Sequence, residues 1–232
     1  MLKLENTEVI GWEHAIRGMR NPKNSWDRSD SKITEHTLED WPHDTVKTFD
    51  EIGPNDYKLM MNLADGGPVH AKYRRMIAVY VDITAPFYWW KEFDTYKVGT
   101  VANSCSTMHK IGEKKFEMSD FSTEHLLPAS YRCIGFTVKT LNEIRSLWMG
   151  ENSDKLKHTY GEHDKKDYWW QMIQLLPSSY NQKRTVMLNY EVLVGIYKWR
   201  RNHKLDEWHT FCDWIEELPY SELITGYEET DE

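Results

Sequence analysis

Cysteine is scarce in this chain. Cys105, Cys133 and Cys212 are odd in number and far apart in 232 residues, which supplies neither a disulfide framework nor the paired spacing of a metal site. No apolar run approaches the roughly 18 residues that a membrane helix needs. Residues 1–6 lack the apolar centre of a secretory leader. A reducing, cytoplasmic setting is therefore expected. Positive charge is also in deficit: 29 Lys and Arg face 37 Asp and Glu, for a formal net charge of −8. That balance lacks the basic surface on which non-specific nucleic-acid binding depends, so no direct nucleic-acid partner is expected. A small anion held by a few local cations is compatible with it. The phosphate-cradling patterns G-x-x-x-x-G-K-[ST] and G-x-G-x-x-G are missing, as is G-x-S-x-G. Nothing therefore supports a P-loop, a Rossmann dinucleotide site or a nucleophile elbow. His203 and His209 lie six apart, which does not place two imidazoles on one helix face, so no metal is expected.

Aromatic residues, by contrast, are plentiful: 11 Trp and 13 Tyr. Most are expected in the core or in subunit contacts, although large rings also stack on planar ligands. Along the chain, residues 7–12 read as a short strand, and 17–28 as a basic loop rich in turn formers. Residues 54–63 read as a helix with Asn55 or Asp56 as N-cap and Gly66-Gly67-Pro68 as its stop. Residues 76–83 are short and β-branched, a strand. Ala85-Pro86 breaks that strand and opens a helix over 87–97. Residues 99–107 are small and polar, which suits a loop that lets a ligand close to the backbone. Helical patterns follow at 140–148, 166–176, 182–201 and 205–218, with Asn181 as N-cap of the third. Strands early and helices late give an α+β (α/β-type) fold in a single domain over 1–225, with an acidic tail at 226–232.

Two features point to a ligand. One is the small-residue run, flanked by Lys97 and by His109-Lys110. Its hydroxyls, amide and nearby cations suit a phosphate and the edge of a base. The other is the face formed by Asn189, Leu193, Ile196 and Arg200, spaced four, three and four. An amide and a guanidinium among apolar residues are costly to bury unpaired. Either they meet a polar ligand or partner, or they reach the edge of the core and are solvated.

At these features the sequence resembles the flavin-dependent thymidylate synthases. In that family a strand ends at an Ala-Pro-like break. A helix carrying Arg-Gln-x-x-Arg-His-Arg follows, then a loop of the form Ser-x-Asn-Glu-x-Ser-x-Arg-Tyr. Residues 82–97 follow the first part without a gap, and 98–109 follow the second with one residue inserted. His70 stands where the family has the His of its Gly-His-x-x motif. Leu176-Pro177 matches the Leu-Pro turn, Asn189 the flavin-contacting Asn and Arg200 the Arg that orients the pyrimidine. Asp206-Glu207-Trp208 resembles the Ala-Gln-Trp that follows. The similarity covers residues 50–110 and 165–215.

The departures fall on the charged positions. Arg-His-Arg has become Thr95-Tyr96-Lys97, the Gln is Glu92, the Glu is Ser104 and the loop Arg is Met108. The family Arg that grips the nucleotide phosphate aligns with Ile173. Charge-assisted contacts of this kind are worth on the order of 1.5–3 kcal/mol each, so either the substrate differs or other cations replace them. Arg17, Arg20, Lys97, Lys110 and Arg201 are the candidates.

The resemblance implies a mostly antiparallel central sheet with a predominantly helical C-terminal half. It implies transfer of a one-carbon unit from methylenetetrahydrofolate to C5 of a pyrimidine deoxynucleotide, dUMP or a related one. FAD would be the cofactor and NADPH the reductant, and no protein nucleophile is needed. Arg200 is then the catalytic residue. The substrate would be held by Glu92, Asn103, Ser104, Ser106 and Arg200. The flavin would be held by His70, Thr95, Tyr96, Lys97, Asn103 and Asn189. Trp89, Trp90 and Tyr96 would give a stacking wall. Family members are homotetramers, and the same is expected here. The alternative is a non-catalytic relative that keeps the fold and binds a nucleotide as a structural or interaction protein.

Overall fold

The structure, a computed structural model, describes residues 2–38, 41–151 and 154–226; the expected acidic tail lies outside the described residues from 227 onward. β1 (Lys3–Ile10) turns at Gly11 into α1 (Trp12–Arg20). Gly11 sits at φ +96, and a Cβ there would stand 2.1 Å from the Met76 carbonyl oxygen, so only glycine fits this corner. α1 replaces the first part of the expected basic loop. Trp12, Ala15, Ile16 and Met19 form a buried stripe at helical spacing, and that apolar face outweighs the arginines around it. Two 3-10 turns, Asn21–Lys23 and Trp26–Arg28, lead to β2 (Lys32–Leu38) and β3 (Trp41–Glu51), an antiparallel hairpin.

α2 (Pro54–Asp65) starts with proline at its first position, and its N-cap is Gly53 rather than Asn55 or Asp56. The capping is done from outside the helix: the Asp30 carboxylate accepts from the amides of Asn55 at 2.9 Å and Asp56 at 3.1 Å. After a 3-10 segment, Lys72–Met76, comes β4 (Ala78–Pro86), with Val79, Val81, Ile83 and Ala85 buried in alternation. Pro86 does not cut the strand short. It is the strand's last residue and the N-cap of α3 (Phe87–Phe93), which ends before the expected Lys97. The small-residue run contains β5 (Val101–Ser104), exposed throughout at the edge of the sheet, and reaches α4 (Thr107–Lys110).

α5 (Pro128–Met149), α6 (Asp154–Tyr160), α7 (Lys165–Leu175), β6 (Asn181–Asn189), α8 (Tyr190–Arg200), α9 (Asp206–Glu216) and α10 (Glu222–Thr225) complete the chain. The helix expected over 182–201 is therefore a strand followed by a helix. In β6, Gln182, Val186 and Leu188 are buried on the period of two, and the helical spacing begins only after Asn189. The four strands form an antiparallel sheet in the order β1-β4-β6-β5, with the helices concentrated in the C-terminal half. Among the described residues no helix is long and apolar enough to cross a membrane. None of their His, Cys, Asp and Glu side chains cluster in threes to hold a metal.

The chain divides into two compact units. The first holds residues 82–95 and 102–185 with the start of β1. Its α5 and α7 enclose a core of Ile111, Phe116, Phe121, Leu141, Ile144 and Met172, among others. Trp89, Trp90 and Phe93 are buried within the same unit, with Trp89 and Phe93 stacked at 5.0 Å. Trp90 donates its indole N–H to the Gln182 carbonyl at 3.0 Å, and the Arg184 guanidinium covers its face at 4.1 Å. Trp89 and Trp90 are core residues and not a stacking wall. The second unit holds residues 6–81, 96–101 and 186 onward. Trp12 packs there against Phe49, Tyr190 and Tyr220, and Leu193, Ile196, Trp208, Phe211 and Ile215 fill the space beneath α8 and α9.

Candidate functional site

Helix α8 organises the site. Leu193 and Ile196 are fully buried and fix the helix, so Arg200, four residues beyond Ile196, emerges half-buried at its C-terminal end. A cation is favourable at that end of a helix dipole. The guanidinium carbon lies 4.8 Å from the centre of the Trp208 ring and 5.6 Å from that of Tyr96. Its Nε donates to the Tyr96 hydroxyl at 2.9 Å. Tyr96 in turn meets Trp208 edge-on, with centroids 6.1 Å apart. The two rings and this hydrogen bond help to fix a side chain that otherwise carries several free torsions.

Asn189 stands one residue before α8 begins. It is the N-cap: its Oδ1 accepts from the Val192 amide at 3.1 Å. The two residues still belong to one arrangement, because the segment 96–101 runs beside α8. Tyr96 meets Arg200 at one end of the helix. At the other, Gly99 presses so close that a Cβ would stand 2.9 Å from Asn189 Nδ2 and 3.1 Å from Val192 Cγ2. Gly99 has φ +80, a conformation that glycine adopts without strain. Beside it, Thr100 Oγ1 is buried and has no hydrogen-bond partner among the described residues. A buried hydroxyl without a partner is costly.

The remaining expected residues fall as follows. Lys97 is exposed, with no ionic partner among the described residues, and His70 is exposed beside Gly66. Both are in the second unit with Tyr96, Asn189 and Arg200. Glu92, Thr95, Asn103, Ser104 and Ser106 are in the first. There the Thr95 hydroxyl donates to the Glu92 carbonyl at 2.7 Å, closing the end of α3. Asn103 and Ser104 are exposed on β5, and Ser106 accepts from the His109 amide at 3.1 Å as the N-cap of α4.

Most of the candidate replacement cations are already engaged. Arg20 is buried against Asp56 at 2.6 Å. Lys110 pairs with Glu113 at 2.6 Å, and Arg201 with Asp213 at 2.5 Å and Glu216 at 3.3 Å. Arg17 hydrogen-bonds His14 at 3.1 Å. Arg74 belongs to a basic patch, residues 72–75, to which the sequence assigns no role; its side chain is 9% exposed and faces Glu191, in the first turn of α8, at 4.0 Å. Its neighbour Tyr73 donates to the Met60 carbonyl at 2.9 Å, and burial pushes the phenol up to about 12. Thr100 and Trp208 were also given no role. The only signal for Trp208 was its place in the Asp-Glu-Trp segment, and nothing in the local pattern distinguished Thr100 from its polar neighbours.

No protein-family model matches the chain, and no curated protein matches it in sequence. Solved structures do. Thymidylate Synthase X (ThyX) from Helicobacter pylori, with FAD and dUMP, superposes with a TM-score of 0.61 at 14% identity, covering 96% of this chain and 96% of that one. A second structure, of the flavin dependent thymidylate synthase ThyX from the same organism complexed with FAD and dUMP, gives 0.61 at 15% identity over 95% and 96%. The chain has the fold of these proteins over nearly its whole length.

Proposed function

We propose that the chain binds a pyrimidine deoxynucleotide, dUMP or a close relative, and acts at its C5 as a flavin-dependent, thymidylate synthase-like enzyme. The observation that carries this reading is Arg200, held against Tyr96 and Trp208 and tied by Tyr96 at the end of α8. A guanidinium is a donor only, so its complement is an acceptor such as a ring carbonyl, and polarising that carbonyl draws electron density from the pyrimidine ring. The similarity to a synthase seen with FAD and dUMP supports the choice of ligands.

The residues present fit the ring of a flavin. Thr100 offers an unpartnered buried hydroxyl, and its neighbour Gly99 packs against the Asn189 amide. When bound, FAD supplies the reducing electrons for converting a one-carbon unit from methylenetetrahydrofolate into a methyl group, with NADPH as the external reductant. The chain's own tasks are then to orient the base through Arg200, to hold the flavin edge through Thr100 and Asn189, and to face phosphate with Lys97. Glu92, Asn103, Ser104 and Ser106 keep their assignment to substrate in this proposal. His70 and Thr95 keep theirs to the flavin, as Asn103 does as a second role, whereas Tyr96, tied to Arg200, goes with the base and not with the flavin. The proposal includes a cytoplasmic homotetramer.

A second reading, a non-catalytic nucleotide-binding protein of this fold, has its own support. The phosphate-gripping cations of the family are replaced, and Arg20, Lys110 and Arg201 are committed to carboxylates. The absorption spectrum of the purified protein, taken after incubation with excess FAD and gel filtration, separates the two. Retained flavin absorbance together with folate- and NADPH-dependent turnover of dUMP is expected for the enzyme. Folded, colourless protein that still binds nucleotide would establish the second reading.

A further inference from the structure

We infer that the Tyr96 hydroxyl donates its own proton to a carbonyl oxygen of the bound pyrimidine, making Tyr96 a base-reading residue beside Arg200. This rests on the pyrimidine reading of the Arg200 site and adds a second donor to it.

The argument starts from what a phenol can do. Its oxygen carries one hydrogen and accepts on the remaining side, roughly in the plane of the ring. Arg200 Nε donates to that oxygen at 2.9 Å, and a guanidinium has nothing with which to accept in return. The phenol hydrogen must therefore point away from Arg200. No acceptor for it occurs among the described residues: besides this bond, Tyr96 has only its ring contacts with Trp208 and Arg200. Those contacts also hold the ring, so the direction of the O–H is set along with its position.

Accepting from a cation polarises the hydroxyl and strengthens it as a donor. The result is a second donor next to Arg200, with Tyr96 half-buried and bordered by the Trp208 ring. A hydrogen-bond acceptor on a planar ring matches this setting better than an exocyclic amine, which would present donor against donor. In the family motif this position is an Arg-His-Arg histidine. The phenol brings no charge, so it reads a neutral carbonyl rather than a phosphate.

The test is a cycle between one hydroxyl and one ligand atom. Affinities of dUMP and of its 2-thio and 4-thio analogues are measured by calorimetry for the wild-type protein and for Tyr96→Phe, which keeps the ring and its packing. Thermal melts confirm that both are folded. The expected result is a loss of about tenfold in dUMP affinity for the variant. In addition, one thio analogue binds wild type several-fold more weakly than dUMP does, because sulfur is a poor acceptor, while the variant no longer distinguishes the two. A purely structural role for Tyr96 would lower all three affinities alike. Thio penalties that are the same in both proteins would overturn the inference and leave the pyrimidine reading intact. Failure of wild type to bind dUMP or dCMP at all would remove the pyrimidine reading and this inference with it. Should Tyr96→Phe unfold, equal binding of all three ligands to the wild-type protein alone would still overturn the inference.

Discussion

Arg20 and Asp56 form an ion pair at 2.6 Å with side chains 5% and 0% exposed. The second Asp56 oxygen accepts from the hydroxyls of Ser29 at 2.7 Å and Ser31 at 2.6 Å, and from the amides of Asp30 and Ser31, both at 3.2 Å. Arg20 spends its other nitrogens on the carbonyls of Ser25 at 3.1 Å and Arg28 at 3.0 Å. One carboxylate on α2 thereby holds the whole approach to the hairpin. Asp56→Asn leaves a buried guanidinium uncompensated and is expected to cost about 3–5 kcal/mol, measured by urea denaturation. A loss below about 1 kcal/mol would mean that water already reaches the pair.

The same carboxyl sets an acid limit. Burial pushes its pKa up, but the hydrogen bonds from Ser31, Ser29 and Arg20 and the charge of Arg20 together hold it below the usual carboxylate value. A depressed folded-state pKa contributes stability that is fully present above the unfolded value of about 3.9 and fades as the pH falls through the folded one. The stability gap between wild type and Asp56→Asn is therefore expected to be constant near neutrality and to narrow below about pH 4. Melts of both proteins from pH 7 to pH 2 check this; a gap unchanged at pH 2 would contradict it.

The three thiols are predicted to react unequally. Cys105 and Cys133 are exposed, whereas Cys212 is buried, and burial pushes its thiol up to about 11 despite the nearby Arg201 charge. At neutral pH an alkylating reagent is expected to modify the first two rapidly, and Cys212 only after denaturant is added. Peptide mass mapping reads the outcome, and rapid labelling of Cys212 in the native protein would count against the packing beneath α9.

Gly99 and Gly67 make a matched pair. Both have positive φ, but a Cβ at Gly67 meets nothing within 4 Å, while one at Gly99 stands 2.9 Å from Asn189 Nδ2. Gly67→Ala is expected to lose only the backbone term, about 1–2 kcal/mol. Gly99→Ala should lose that and also displace the Asn189 amide, weakening FAD binding where Gly67→Ala does not. Equal melting temperatures and equal flavin affinities in the two variants would contradict the close approach.

Much of this architecture is legible in the sequence where one physical signal dominates. The alternation in β4 and the proline-to-glycine frame of α2 are visible without coordinates. β6 misled because Lys183 and Arg184 interrupt its alternation, so its apolar residues merged with those of α8 into one apparent helix. The β2–β3 hairpin was missed because its apolar residues (Ile33, Leu38, Trp41, Val46, Phe49) follow no period of two over a useful length. Arg200 and Asn189 were found by spacing and resemblance. The unpartnered Thr100 hydroxyl and the orientation of Tyr96 depend on tertiary neighbours, which no local window contains.

The way β5 and β6 meet has a consequence for how this chain can be altered. Cys105 donates its amide to the Lys183 carbonyl at 2.9 Å, and the Gln182 side chain returns to the Cys105 carbonyl at 3.0 Å. The segment between those residues, including the α5–α7 core, returns beside the point where it left, and just before β6 the carbonyls of Ser178 and Tyr180 also accept from the amides of Tyr88 and Phe87, both at 3.1 Å. A change of length inside the segment can therefore be absorbed in its loops only while both ties, to β6 and to the start of α3, keep their register.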